Sequence, residues 1–308
     1  MKIVFIGTVE SSYVSLEEMI KNQIKIEAVF TVKNNNFNSD YKNLIPLCKK
    51  NGIRSYEINN INDRENIEEL KKINPDMIFV IGFSQLIKEE ILRIPKYGSI
   101  GFHPTLLPKN RGRAVIPWTI LQEEKVTGIT LFRIDDGTDT GDIIYQEKII
   151  LDKKETSTTL YEKVLVALRS AIKEKIHDIV KMKINPTKQN EEEATYCALR
   201  QKEDGLINWN DTANNIDRLI RASTKPYPGA FTYHKGSELI IWESELIEKD
   251  NWSAIPGQRV EIVKGKGVKV KTGSGLILIK KINYQGEDYD AWEIFKISGK
   301  KFGSVKNI

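Results

Sequence analysis

The chain has 308 residues, about twice an ordinary domain, so two domains with separate cores are expected. Hydrophobic residues make up 40% and charged residues 29%, a balance that excludes a disordered or membrane-embedded chain. The net charge of +5 comes from lysines scattered among glutamates, which reads as a solvated surface rather than a nucleic-acid footprint.

The N-terminal MKIVFIGTVESSY runs straight into a strand and turn without a cleavable apolar region, and no stretch is apolar enough to span a bilayer. A cytoplasmic location is therefore expected. KIVFIG (2–7) is a short apolar strand, and YVSLEEMIKN carries Val14, Leu16, Met19 and Ile20 at helical spacing. KIEAVFTV (25–32) reads as a strand, YKNLIPLCKKNG as a helix stopped by Gly52, and IRSYEI as a strand. NDRENIEELKKI is a helix opening at Asp63, and DMIFVIG (76–82) is a strand bounded by Pro75 and Gly82. Alternation at this pitch predicts an α/β fold, a Rossmann-like doubly wound and mostly parallel sheet. Ligands of such sheets bind beyond the strands' carboxyl ends, which draws attention to the loops at Gly7, Gly82 and Gly101. The first turn, GTVESSY, lacks the dinucleotide fingerprint, and no phosphate-loop motif is present.

Farther on, STTLYEKVLVALRSAIKEKIHDIVKM places Leu160, Val164, Leu168, Ile172, Ile176 and Ile179 on one stripe, predicting a long helix with His177 at its surface. INPTKQNEEEATYCALR loses periodicity and reads as a linker. One more helix in DGLINWNDTANNIDRLIRA precedes glycine-broken strands, which suggests a small C-terminal β-barrel of OB-like type. The expected division is a catalytic domain at 1–185, a linker at 186–204, and a helix plus barrel at 205–308.

Two stretches carry chemistry. IGFHPTLLPKNRGR (100–113) sets His103 on a proline-stiffened turn ahead of Lys109, Arg111 and Arg113. VTGITLFRIDDGTDTGDIIYQEKI (126–149) places Asp135, Asp136, Asp139 and Asp142 among glycines and threonines. The second is a turn-forming composition, and it matches a calcium ladder poorly, so no metal is expected. A carboxylate beside His103 would fix the imidazole tautomer and raise its basicity, as general acid-base catalysis needs. Cys48 and Cys197 lie far apart without metal-ligand spacing and read as inert.

HPTLLPKNRGR, IPW and TGITLFRIDDGTDTGDII together resemble the formyltransferase family that uses N10-formyltetrahydrofolate. The resemblance continues through DGLINW and IRASTKPYPGAF, over nearly the whole chain. It implies acyl transfer from the folate donor to a primary amine, with an Asn, a His and an Asp as catalytic group. By motif position these are His103 and Asp142, and Gly101 stands where the family has Asn. Asn110, a backbone N–H near Gly101, or a bound water are the replacement donors for the oxyanion. The pterin would lie against Phe83, Ser84, Gln85, Leu86 and Ile87 and against Asp136, Gly137, Thr138 and Asp139. Lys109, Arg111 and Arg113 suit an anionic substrate; Arg111 or Arg113 could instead anchor the Asp-rich turn.

Three acceptor readings compete: a nucleotide-linked amino sugar, methionyl-tRNA, and a non-catalytic folate- or nucleotide-binding relative. The tRNA enzymes of this family carry a basic loop after the second strand, whereas VKNNNFNSDYKNL holds only Lys33 and Lys42. Lys264, Lys266, Lys269 and Lys271 in KGKGVKVK could track phosphates or guard sheet edges. The amino-sugar reading is preferred. No membrane partner is expected, and a homodimer is left open.

Overall fold

A computed structural model describes residues 1–33 and 40–303. Residues 34–39, within the segment weighed above as a nucleic-acid clamp, lie outside the described residues. Two compact units are present, one of Met1–Val115, Lys125–Leu151 and Tyr161–Ala198, the other of Ile116–Glu124, Asp152–Leu160 and Leu199–Ile308.

In chain order the elements run β1 (Ile3–Ile6), α1 (Glu10–Lys21), β2 (Ile26–Val32), α2 (Ile45–Lys50), β3 (Arg54–Ile58), α3 (Arg64–Ile73), β4 (Met77–Val80), α4 (Glu89–Leu92) and β5 (Ser99–His103). Then come β6 (Arg111–Gly112), α5 (Val115–Leu121), β7 (Val126–Ile134), β8 (Ile143–Ile150), α6 (Ser157–Val180) and β9 (Tyr196–Cys197). In the first unit the sheet order is β3-β2-β1-β4-β5-β7-β8, with β1 to β5 parallel. β1 has all four residues buried and runs between β2 and β4, which is why its apolar run is unbroken. The apolar stripe of α6 is buried throughout, from Leu160 to Ile179.

The β1 to α1 turn presses against the end of β4. Ser12 Oγ donates to the Ile81 carbonyl at 2.6 Å and accepts the Thr8 N–H at 2.8 Å. Gly82 has φ +62, and a Cβ there would meet Ser11 Oγ and Val9 Cγ2 at 2.5 Å, so only glycine fits.

The last two strands break the parallel pattern. β7 runs antiparallel to β5, setting Ile134 beside Ser99 and Thr130 beside His103, and β8 is antiparallel to β7. The Asp-rich turn after β7 therefore leaves at the opposite end from His103 and must fold back along β5 to reach it.

The second unit adds α7 (Ala213–Ser223), β10 (Ala230–His234), β11 (Ser237–Ile247), β12 (Arg259–Val263), β13 (Gly267–Lys271), β14 (Leu276–Tyr284), β15 (Glu287–Asp290) and α8 (Ala291–Ile294). Thr212 caps α7 by accepting the Asn215 N–H at 3.1 Å. The antiparallel sheet has the order β10-β11-β14-β13-β12, with β15 also on β14. Lys235-Gly236 and Gln285-Gly286 both take positive φ, the two-residue geometry that suits tight hairpins. The expected OB-like barrel is not closed: no strand ladder joins β10 to β12 among the described residues. Instead the tail bridges both edges, Gly303 to Tyr233 of β10 and Lys301 to Gln258 just before β12. Among the described residues no helix is long and apolar enough to cross a membrane.

Candidate active site

His103 closes β5 and is 4% exposed. The turn after it is braced from β7 and β8. Thr130 Oγ1 donates to the Thr105 carbonyl at 2.7 Å and accepts the Leu107 N–H, while Gln146 Nε2 donates to the Leu107 carbonyl at 2.8 Å. The chain then returns so that the Asn110 carbonyl lies 2.7 Å from His103 Nε2. A carbonyl oxygen only accepts, so Nε2 carries the proton and Nδ1 of the neutral ring keeps its lone pair.

Nδ1 faces Asp139 Oδ2 at 3.5 Å, just beyond a normal hydrogen bond. Burial holds the His103 pKa below the usual imidazole value, while Asp139 and the Asn110 carbonyl pull it back up. The site thus holds a neutral base next to a carboxylate able to stabilise its charged form.

The motif position had pointed to Asp142. Its backbone carbonyl accepts the Arg133 N–H at 2.9 Å, and among the described residues the carboxylate within ion-pair reach of His103 is that of Asp139. The cause is local: Asp139 has φ +55, a left-handed bend that swings its side chain back, where Oδ2 also accepts the Gly112 N–H at 2.8 Å. Asp136, Gly137 and Thr138 are exposed on the outside of the turn, which Asp135 ties by accepting from the Gly137 N–H and Thr140 Oγ1.

Gly101 lies inside the sheet, paired with Val80 on one side and Phe132 on the other. A Cβ there would come within 2.9 Å of the Phe132 ring and 3.0 Å of Ile134. The Phe132 ring fills the space a side chain at 101 would need, so the departure from Asn comes with its own packing. Asn110 is 7% exposed; its N–H donates to Thr195 Oγ1 at 2.8 Å and its Oδ1 accepts from the same hydroxyl at 3.3 Å.

The three cations part company. Lys109 and Arg113 are exposed, but Arg111 is fully buried. Its guanidinium grips Glu191 through both terminal nitrogens, at 2.8 and 2.7 Å, donates to Tyr196 Oη at 2.9 Å, and meets Gln189 Oε1 from Nε and Nη2. The bond to Glu191 raises the guanidinium pKa further. Arg111 is therefore spent on the fold and cannot also hold a phosphate. Around it β6 pairs with β9, and a Cβ on Gly112, φ +103, would sit 2.5 Å from the Cys197 carbonyl. The segment 186–198, expected to be linker, is thereby held on the first unit. Gln189, Glu191, Thr195 and Tyr196 carried no signal in the sequence, because polar residues without periodicity look like solvated loop.

In the loop after β4, Ile87 is buried and Phe83 packs on the same core cluster. Gln85 accepts the Ile61 N–H at 2.9 Å and donates to the Asn59 carbonyl at 2.7 Å. Ser84 is exposed and Leu86 is 77% exposed, while Phe83 is half-buried. Among the described residues no cluster of His, Cys, Asp or Glu could hold a metal ion.

The formyl transferase family profile matches residues 1–176, and that of the formyl transferase C-terminal domain matches residues 200–298. The methionyl-tRNA formyltransferase of Clostridium tetani is 38% identical over 294 residues, 92% of each chain. A solved sugar 3N-formyl transferase, WlaRD, in the presence of dTDP and 5-N-formyl-THF, is 25% identical with a TM-score of 0.67, covering 91% of this chain and 97% of that one. An N-formyltransferase from Helicobacter canadensis, solved with folinic acid and dTDP-3-aminofucose, is also 25% identical, with a TM-score of 0.68 and coverage of 94% and 100%. With both of its parts matched over most of its length, the chain belongs to the formyl transferase family.

Proposed function

We propose that this chain transfers the formyl group of N10-formyltetrahydrofolate to the primary amine of a nucleotide-linked amino sugar. The observation that carries the chemistry is the setting of His103: Nε2 is committed to the Asn110 carbonyl, which leaves Nδ1 as the base beside Asp139. As the amine nitrogen bonds to the formyl carbon, His103 takes the amine's proton at Nδ1 and returns it to the folate nitrogen as the old C–N bond breaks. Asp139 stabilises the imidazolium in between. The products are a formamide and tetrahydrofolate, and no metal enters the balance.

The donor's flat ring system fits the open face of Leu86 and the backbone of the loop after β4. Ile87 is buried in the core, and Phe83, half-buried on the same cluster, supplies the second apolar surface of this loop. Lys109 and Arg113 remain exposed for the acceptor's phosphates.

The sugar reading gains support from the second unit. Lys269 is paired with Glu261 at 2.7 Å and Lys271 with Asp250, so half of the lysine run that could track an RNA backbone is already neutralised. The 38% identity to the Clostridium tetani enzyme favours methionyl-tRNA as the second reading. The test is to incubate the protein with N10-formyltetrahydrofolate and, separately, dTDP-3-aminofucose or initiator methionyl-tRNA, following product by mass. Turnover of the sugar with little salt dependence is expected. Turnover of tRNA alone, with affinity falling about 10³–10⁵-fold between low and moderate salt, would establish the second reading instead.

A further inference from the structure

We propose that Gln189 is a positioning residue for the transfer step: held by the buried Arg111 guanidinium, its carboxamide fixes the turn that aims Asp139 at His103. The proposal rests on the His103–Asp139 reading above and extends it outward by one residue. Gln189 Oε1 accepts from Arg111 Nε at 3.1 Å and Nη2 at 2.8 Å, while its Nε2 donates to the carbonyls of Asp139 and Gly141, both at 2.7 Å. Both lone pairs of the oxygen and both hydrogens of the nitrogen are thus used. Arginine can only donate, so the amide has one permitted orientation, with its nitrogen toward the turn.

The two carbonyls it holds are that of Asp139 itself, where the chain takes its left-handed bend, and that of Gly141 two residues on; the Asp139 carboxylate is set 3.5 Å from Nδ1. Gln189 touches neither the imidazole nor the carboxylate. It acts on the angle between them.

A merely structural part, fastening 187–197 to the first unit, would be redundant. That segment is already held by the β6–β9 pairing, by Thr195 on the Asn110 N–H, by Glu191 and Tyr196 on Arg111, and by the Thr187 bridge to Ile143. Among the described residues, what Gln189 adds to these is a pair of side-chain donors to the backbone carbonyls of the turn, while the Gly112 N–H holds the Asp139 carboxylate. The isosteric Gln189→Glu keeps acceptors for Arg111 yet sets an oxygen against two carbonyl oxygens. Gln189→Met removes the donors without adding charge.

The readout needs no acceptor. The chain has three histidines, so the His103 titration can be followed by NMR with His177 and His234 as internal controls. Asp139 is the charged group that bears on His103, raising its pKa. If Gln189→Met lets the turn swing away, the His103 midpoint falls as it does in Asp139→Asn, and falls no further in the double variant. With dTDP-3-aminofucose as acceptor, kcat drops about 10²-fold in Gln189→Met and Gln189→Glu while KM holds, as expected when a catalytic group is misplaced by about 1 Å. Should Gln189→Met fail to fold, Gln189→Glu carries the kinetic arm. An unmoved His103 midpoint and wild-type kcat in the Gln189 variants, with Asp139→Asn altered in both, would overturn the proposal and leave the pair standing. An Asp139→Asn that changes neither would remove the pair and the proposal together.

Discussion

His103 and His234 are both buried, and burial pushes both imidazoles below their ordinary pKa, yet their surroundings differ in kind. His103 faces a carboxylate at 3.5 Å and a carbonyl at 2.7 Å. His234 lies among Tyr284, Phe295 and Phe302, with Arg259, Lys235 and Lys300 adding like charge, and its pKa is lowered to about 4. Burial makes either ring a neutral base; only the first has a partner that can hold the proton once it arrives. A ring enclosed by aromatics and cations is a packing element, whereas one with an anion on its free nitrogen can cycle.

The largest effect expected on that contrast is at the cycling ring. His103→Ala should lower kcat about 10³-fold with the circular dichroism spectrum intact, since a general acid-base group contributes about 10²–10⁴-fold. Next comes its partner. Asp139→Asn should cost about 10²-fold in kcat and move the acid limb of the pH–rate profile to lower pH, because Asp139 raises the His103 pKa. Asp142→Asn, whose backbone rather than carboxylate is engaged, should leave that limb in place. A limb shifted by Asp142→Asn and not by Asp139→Asn would reverse the assignment.

The second ring should answer in stability rather than rate. Folding requires His234 neutral, so its contribution is complete above the unfolded value near 6.5 and is lost as pH falls toward about 4. His234→Phe should flatten the fall of Tm across that window and leave kcat unchanged. A Tm that falls as steeply in His234→Phe as in the parent would show that the ring does not set this window. The smallest effect is expected at the rim of the catalytic turn: Lys109→Ala and Arg113→Ala should each raise KM for a nucleotide sugar by about tenfold, one charge-assisted contact, with kcat held.

The strand and helix alternation of the first unit was legible because unbroken apolar runs such as DMIFVIG admit few alternatives. Strand direction was not: VTGITLFRI reads alike in either sense, so the antiparallel entry of β7 and the folding back of its turn came only with the structure. The choice between Asp139 and Asp142 depends on a single left-handed φ in a turn where every residue is a good turn former. Arg111 looked like a ligand-binding cation since its partners lie 78 to 85 residues later in the chain. His103 itself was plain, one imidazole on a stiff turn at the end of a strand. The barrel inferred from glycine-punctuated strands had the right hairpins, but their number and length do not say whether the two outer strands meet.

Among the described residues no ladder joins the two outer strands, and residues 300–303 bridge to both instead. Gly303 and Tyr233 exchange both backbone hydrogen bonds, at 2.9 and 3.1 Å, while Phe302 N–H donates to the Gly257 carbonyl at 2.9 Å and Arg259 N–H to the Lys300 carbonyl at 3.0 Å. A few residues of tail thus occupy the unpaired N–H and C=O groups of both outer strands, which would otherwise be templates for another copy of the chain. Edge protection of the second unit is in this sense a property of residues 300–303: without them, and with every group that performs chemistry untouched, two strand edges would stand bare as templates for pairing.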